Sequence, residues 1–199
     1  MVIDHVGYFL FPEFILLRMI GRIAFPCFVY GVVQGVEYTS NPYRYAGRMA
    51  LMGLFSIVAW GRLFPINIGF TLALLVLGLT ALRKQEYTKV VLIGVISVFV
   101  EFSFYGYLLG LILYAWQQSL VKKEVGLGLM VLLHILLIVM PLGVDWKIQG
   151  FALLFIPIYF ILGKIKATAP KIPQWFGYGF YPVHVWVLRV MALWMGVSG

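Results

Sequence analysis

The stretch VGLGLMVLLHILLIVMPL, from Val125 to Leu142, carries no charged residue. At 1.5 Å of rise per residue, a helix of this length covers most of a hydrocarbon layer about 30 Å thick. Lys122 and Lys123 stand just before it, so the chain passes from cationic to hydrocarbon within a few residues. A helix lying half in water would place polar side chains at every third or fourth position, and here only His134 interrupts the run. The stretch therefore reads as a membrane-crossing helix.

The same pattern recurs outward in both directions. Apolar segments are expected at about Met19 to Gly35, Ala46 to Trp60, Ile66 to Leu82, Val90 to Glu101, Phe104 to Leu120, Gly150 to Leu162 and Phe176 to Val197, with a shorter one ending near Phe11. The expected fold is all-α, a polytopic transmembrane helical bundle of about eight or nine segments joined by short loops. The lower count applies if Glu101 to Gly106 is a kink in one helix rather than a join between two. Composition agrees: 63% of residues are hydrophobic and only 11% charged, against about 25% charge in ordinary soluble domains. The strict alternation of barrel strands is missing. No soluble domain, long linker or internal repeat is visible, so residues 1–199 read as a single integral membrane domain, and a transporter built from duplicated halves is disfavoured. The residues before Pro12 are too few to span and lack the marks of a signal peptide. Either this first helix enters the membrane partway, or the natural chain begins upstream of Met1.

Lys and Arg set the expected orientation. Arg44 and Arg48, then Arg83, Lys84 and Lys89, then Lys122 and Lys123, then Lys164, Lys166 and Lys171 fall in alternate connections, whereas Arg18, Arg22, Arg62 and Lys147 fall in the others. Positive loops stay in the cytosol, so the first set should face it. The net charge of +8 is then a topology signal that requires no nucleic-acid partner, and its partner is the lipid bilayer. The single Cys27 excludes an internal disulfide, and no His/Cys cluster has metal-ligand spacing, so no metal is expected.

Ionisable residues inside apolar runs are costly in lipid and mark candidate sites: Asp4, His5, Arg18, Arg22, Glu101 and His184. Asp4 and His5 are consecutive, so on a helix they point about 100° apart and each needs its own partner. Arg18 and Arg22 share a helical face, which makes Asp4 a natural counter-ion and leaves His5 to face a cavity. Each has a plainer reading. His134 fits a packed histidine bonded to a carbonyl, the arginines can snorkel to headgroups, Glu101 can sit at a wet helix end, and His184 can be a packing residue beside the Tyr181-Pro182 step.

Read in order, Ile3-Asp4-His5-Val6-Gly7, Arg18-Met19-Ile20-Gly21-Arg22-Ile23-Ala24-Phe25-Pro26, Val33-Gln34-Gly35 with Thr39 and Asn41, Asn67-Ile68-Gly69-Phe70-Thr71-Leu72, and Phe180-Tyr181-Pro182-Val183-His184 resemble the TraX family of membrane proteins. The ordered set spans nearly the whole chain. Glu101-Phe102-Ser103-Phe104-Tyr105-Gly106 resembles a drifted form of the family's acidic Tyr/Gly stretch, while Gln34 and Tyr38 stand where the family usually has Glu and His.

The resemblance implies a multi-pass acetyltransferase of the bacterial inner membrane, with acetyl-CoA as donor and a peptide amino terminus, such as pilin's, or an envelope sugar as acceptor. The residue chemistry is compatible. A histidine in a low-dielectric cavity can take a proton from an attacking amine or hydroxyl, a contribution of about 10²- to 10⁴-fold. His5 is the expected base, with Arg22 or Arg18 steadying an oxyanion or orienting Asp4. His184 is a competing base, or a donor to the leaving thiolate. Asn67, Glu101 and Tyr181 are expected at the acceptor, and Arg44, Arg48, Lys84 and Lys123 at the phosphates of acetyl-CoA. Two other classes stay open: a transporter or proton-coupled channel using Asp4, His5 and Arg22 as a relay, and a non-catalytic envelope assembly factor.

Overall fold

The computed structural model of the chain describes residues 1–61, 66–141, 143–162 and 173–197. Arg62, Leu142, Lys164, Lys166 and Lys171, which entered the topology and span expectations, lie outside the described residues. The fold is all-helical, and among the described residues there is no strand, only an isolated bridge between Ile66 and Val100. In chain order the α-helices are α1 (Val2–Phe9), α2 (Ile15–Gly21), α3 (Ala24–Tyr38), α4 (Pro42–Trp60), α5 (Ile68–Arg83), α6 (Tyr87–Ile96), α7 (Ser103–Gln117), α8 (Lys123–Val139), α9 (Val144–Gln149), α10 (Phe155–Leu162) and α11 (Gln174–Trp194).

Among the described residues two helical runs are long and apolar enough to cross a membrane: Ile15–Tyr38, with 24 residues, and Val144–Ile161, with 18. Ile68–Arg83 and Tyr87–Phe99 are apolar but shorter. The first run is less regular than the sequence suggests, because Arg22 and Ile23 form a turn between α2 and α3. The second starts earlier than expected and passes through 3-10 geometry at Gly150–Leu154. At Glu101 the chain makes a true break. Val100 is extended and Phe102 and Ser103 have positive φ, so α6 with its 3-10 end at Ser97–Phe99 and α7 are separate helices packed on each other.

Local chemistry explains where helices start and stop. Asn41 Oδ1 accepts from Arg44 N at 2.9 Å and Pro42 occupies the first turn of α4, which ends at Gly61 in the left-handed conformation. Asn67 Oδ1 caps α5 by accepting from Gly69 N at 3.1 Å. At the start of α6 the hydrogen bond from Lys89, at 2.9 Å, holds the exposed Glu86 carboxyl below its ordinary value.

The chain forms two compact units, Met1–Cys27 with Val131–Gly199 and Phe28–Met130. In the first, α1 packs on α2 and α11, and α2 packs on α9 and the following 3-10 turn. Gly7 and Gly21 let α1 and α2 approach: a Cβ on Gly21 would overlap the Asp4 backbone. In the second unit α5 is central, packed by α4, α6 and α7, with Leu75, Val76 and Leu79 wholly enclosed. Gly53 and Gly69 face each other across the α4–α5 contact, where a Cβ on Gly69 would come within 2.6 Å of Gly53 Cα.

The surface is far more apolar than that of a water-soluble protein, and several polar side chains are buried. Leu51, Leu54, Phe55 and Val58 of α4, Val91, Leu92, Val95 and Ile96 of α6, and Trp186, Val190, Leu193 and Trp194 of α11 are exposed, while His5, Asn67, Thr71, Ser97, Gln149 and His184 are buried. Contiguous apolar faces of this extent suit hydrocarbon rather than water.

Candidate active site

Helix α1 presents two polar residues to two different neighbours, as consecutive helical positions must. His5 faces α11, where its Nδ1 lies 2.7 Å from His184 Nε2. The rings are almost parallel, at 15°, with centroids 4.9 Å apart. Both are buried, at 7% and 9% exposure. The other nitrogen of His184, Nδ1, lies 2.7 Å from the Phe180 carbonyl oxygen one turn back on α11. Tyr181 packs edge-on against both imidazoles, with centroids 5.9 Å from His5 and 5.6 Å from His184. Phe180 stacks on His184 at 5.0 Å. Pro182 sits inside this helix, removing one backbone donor there.

Asp4 faces α2. Its Oδ1 is 3.1 Å from Arg22 Nη2 and 4.0 Å from Arg18 Nε, so one carboxylate serves a guanidinium on that helix and another from the residue that caps its end. Arg18 reaches further, to Asp145 at the start of α9 at 2.8 Å, and lies 5.3 Å from the centre of the Tyr8 ring. Arg22 Nη1 donates to Gln149 Oε1 at 3.4 Å. The ion pairs are not matched by hydrogen bonds at every atom: Asp4 Oδ1, Arg18 Nε and Arg22 Nε are buried and make no aligned hydrogen bond, although Oδ1 lies within ion-pair distance of Arg18 Nε. Two N–H donors on adjacent arginines are thus left over inside the protein. Such groups are costly unless something polar meets them.

The structure therefore gathers His5, His184 and Tyr181 around one contact, and Asp4, Arg18 and Arg22 around another, all in the unit Met1–Cys27 with Val131–Gly199. His5 does not simply face open space, since one nitrogen is committed to His184. Asp145 and Gln149 join the arginine cluster although the sequence did not single them out. Gln149, at 1% exposure, is an uncharged polar residue at the start of an apolar run, a position that could have flagged it.

Asn67 and Glu101 lie in the unit Phe28–Met130, where they meet at the start of α5. Asn67 Nδ2 donates to the Gly53 carbonyl at 2.7 Å, and Glu101 Oε2 accepts from Ile68 N at 2.8 Å. The Thr71 hydroxyl donates to the Glu101 carbonyl. These bonds tie α4, α5 and the α6–α7 break together, so both side chains have work in the scaffold. The cations of the same unit gather at the other end of α5. Lys84 Nζ is 3.1 Å from the Tyr43 hydroxyl, beside Arg44, and Arg83 Nη1 donates to the Val36 carbonyl at 2.7 Å. Gln34 and Gln117 hydrogen-bond each other near the same end, just before the turn that leads to Lys123. Arg44, Lys84 and Lys123 are exposed, and Arg48 is half-buried with its guanidinium 5.8 Å from the Tyr45 ring centre. No group of acidic, His and Cys side chains among the described residues could hold a metal ion.

Comparison with curated proteins and with solved structures found no match. A family model described as TraX protein matches residues 1–192. That covers all of the histidine and arginine clusters. The chain belongs to the TraX family.

Proposed function

We propose that this protein is a membrane acetyltransferase that moves an acetyl group from acetyl-CoA to an amine or hydroxyl of a peptide or an envelope sugar. The observation that carries this reading is the buried His5–His184 contact beside Asp4, Arg18 and Arg22, in a chain of the TraX family. His5 serves as general base on the attacking group. The Nε–H groups of Arg18 and Arg22, which make no aligned hydrogen bond within the protein, are the donors suited to the oxyanion of the tetrahedral intermediate. Asp4 holds the two guanidiniums side by side against their mutual repulsion. Tyr181, Asn67 and Glu101 are assigned to the acceptor, and the phosphates of acetyl-CoA to Arg44, Arg48, Lys84 and Lys123, whose charge and exposure suit phosphate. The exposed apolar faces support insertion as a multi-pass protein of about eight or nine segments in the bacterial inner membrane.

The test is CoA release by purified protein in detergent, with acetyl-CoA as donor and envelope extract as acceptor. Wild type should turn over only with extract. His5→Ala should lower the rate at least about 100-fold, and Arg22→Met by about 10- to 100-fold. A folded wild type that neither binds acetyl-CoA nor releases CoA would sink the reading.

A further inference from the structure

The contact between His5 and His184 constrains where protons sit. The Phe180 carbonyl can only accept, so His184 Nδ1, 2.7 Å from it, must carry a proton. A neutral His184 then has its lone pair on Nε2. That nitrogen lies 2.7 Å from His5 Nδ1, so His5 Nδ1 must be the donor. With both rings neutral, a single arrangement satisfies both bonds, and it leaves the lone pair of His5 on Nε2. Neutral imidazole left to itself prefers the opposite tautomer, with the proton on Nε2, where it would be useless as a base at that atom.

We infer that His184 is a positioning residue that holds His5 in the Nδ1–H tautomer, so that Nε2 of His5 is the basic atom and His184 is the reservoir for its second proton. The role of Nε2 rests on the proposed acetyl transfer, and the tautomer itself rests on geometry alone. Both nitrogens of His184 are engaged within the protein, so it acts through His5.

The proton balance closes. The acceptor's amine or hydroxyl attacks the thioester carbonyl and gives its proton to His5 Nε2, while the Nδ1 proton of His5 passes to His184 Nε2. The C–S bond breaks and the thiolate leaves. Return of the proton along the same two bonds converts the thiolate to CoA thiol and restores both neutral rings. The Phe180 carbonyl at the far end has no proton to release, so the pair lends one proton through His184 and conducts none beyond it.

Histidine ¹⁵N spectra test this directly, because the chain has only three histidines and selective labelling gives few signals. At neutral pH in detergent, wild-type His5 should show a protonated Nδ1 and an unprotonated Nε2. His184→Leu removes the acceptor and should return His5 to the Nε2–H tautomer. The same variant should lower kcat about 10- to 100-fold while KM for acetyl-CoA moves less than about 3-fold. His184→Gln places an amide oxygen where Nε2 was, and should keep the His5 tautomer and recover part of kcat.

A wild-type His5 with Nε2 protonated would overturn the inference, as would a folded His184→Leu variant with an unchanged tautomer. The predicted ¹⁵N pattern in a wild type that releases no CoA would instead refute acetyl transfer while upholding the tautomer.

Discussion

A carboxylate between two guanidiniums is worth more inside a bundle than at its rim, and Asp4 and Asp145 offer the comparison on a shared arginine. The Asp4 side chain is 14% exposed and serves both Arg18 and Arg22, whereas Asp145 is 68% exposed and serves Arg18. Removing Asp4 leaves two enclosed cations one helical turn apart with no common anion, and breaking a buried pair costs about 3–5 kcal/mol. An exposed pair contributes about 0–1 kcal/mol. Asp4→Ala should therefore lower the thermal midpoint in detergent by several degrees, and Asp145→Ala by little. The reverse order would show that Asp145, not Asp4, is the main counter-ion. His134, the third histidine, is buried at 2% exposure in α8.

At the level of elements, close helix approach depends on missing side chains. Gly69 stands so near α4 that a Cβ would fall 2.6 Å from Gly53 N and 2.9 Å from the Met49 carbonyl, and backbone atoms cannot swing aside. Gly69→Ala should lower the thermal midpoint, with overpacking costing about 1–3 kcal/mol. Gly31, on α3, has nothing within 4 Å of its added Cβ, so Gly31→Ala should be neutral or stabilise by up to about 1 kcal/mol through helix propensity. Equal effects at the two sites would mean that α4 and α5 are not packed as described. Gly21→Ala tests the other unit: by pushing α1 off α2 it should cost turnover as well as stability, since Asp4 leads directly into His5.

For the whole molecule, the distribution of Lys and Arg predicts an orientation that can be measured. The ends of α3, α5 and α7 and the starts of α4 and α8 gather Arg44, Arg83, Lys84 and Lys123 at one end of the unit Phe28–Met130. With the exposed Cys27 replaced by Ala, cysteines placed at Lys84 and Lys123 should resist an impermeant maleimide in intact cells and react after lysis. Labelling from outside would invert the topology. Much of this was legible in the sequence: apolar runs separated by cations, and Asp4, His5, Arg18 and Arg22 as costly residues in need of partners. Other features came only from tertiary structure: the choice of a break over a kink at Val100 to Ser103, the helix starts capped at Asn41 and Asn67, the turn at Arg22, the recruitment of Asp145 and Gln149, and the contact of His5 with His184, 179 positions away. The reason is physical. Helical periodicity tells which side chains share a face of one helix, but when both the lipid-facing and the buried faces are apolar, no contrast in hydrophobicity tells which faces of different helices meet. That choice is made by glycine gaps, paired charges and hydrogen bonds, which act only once the helices are packed together.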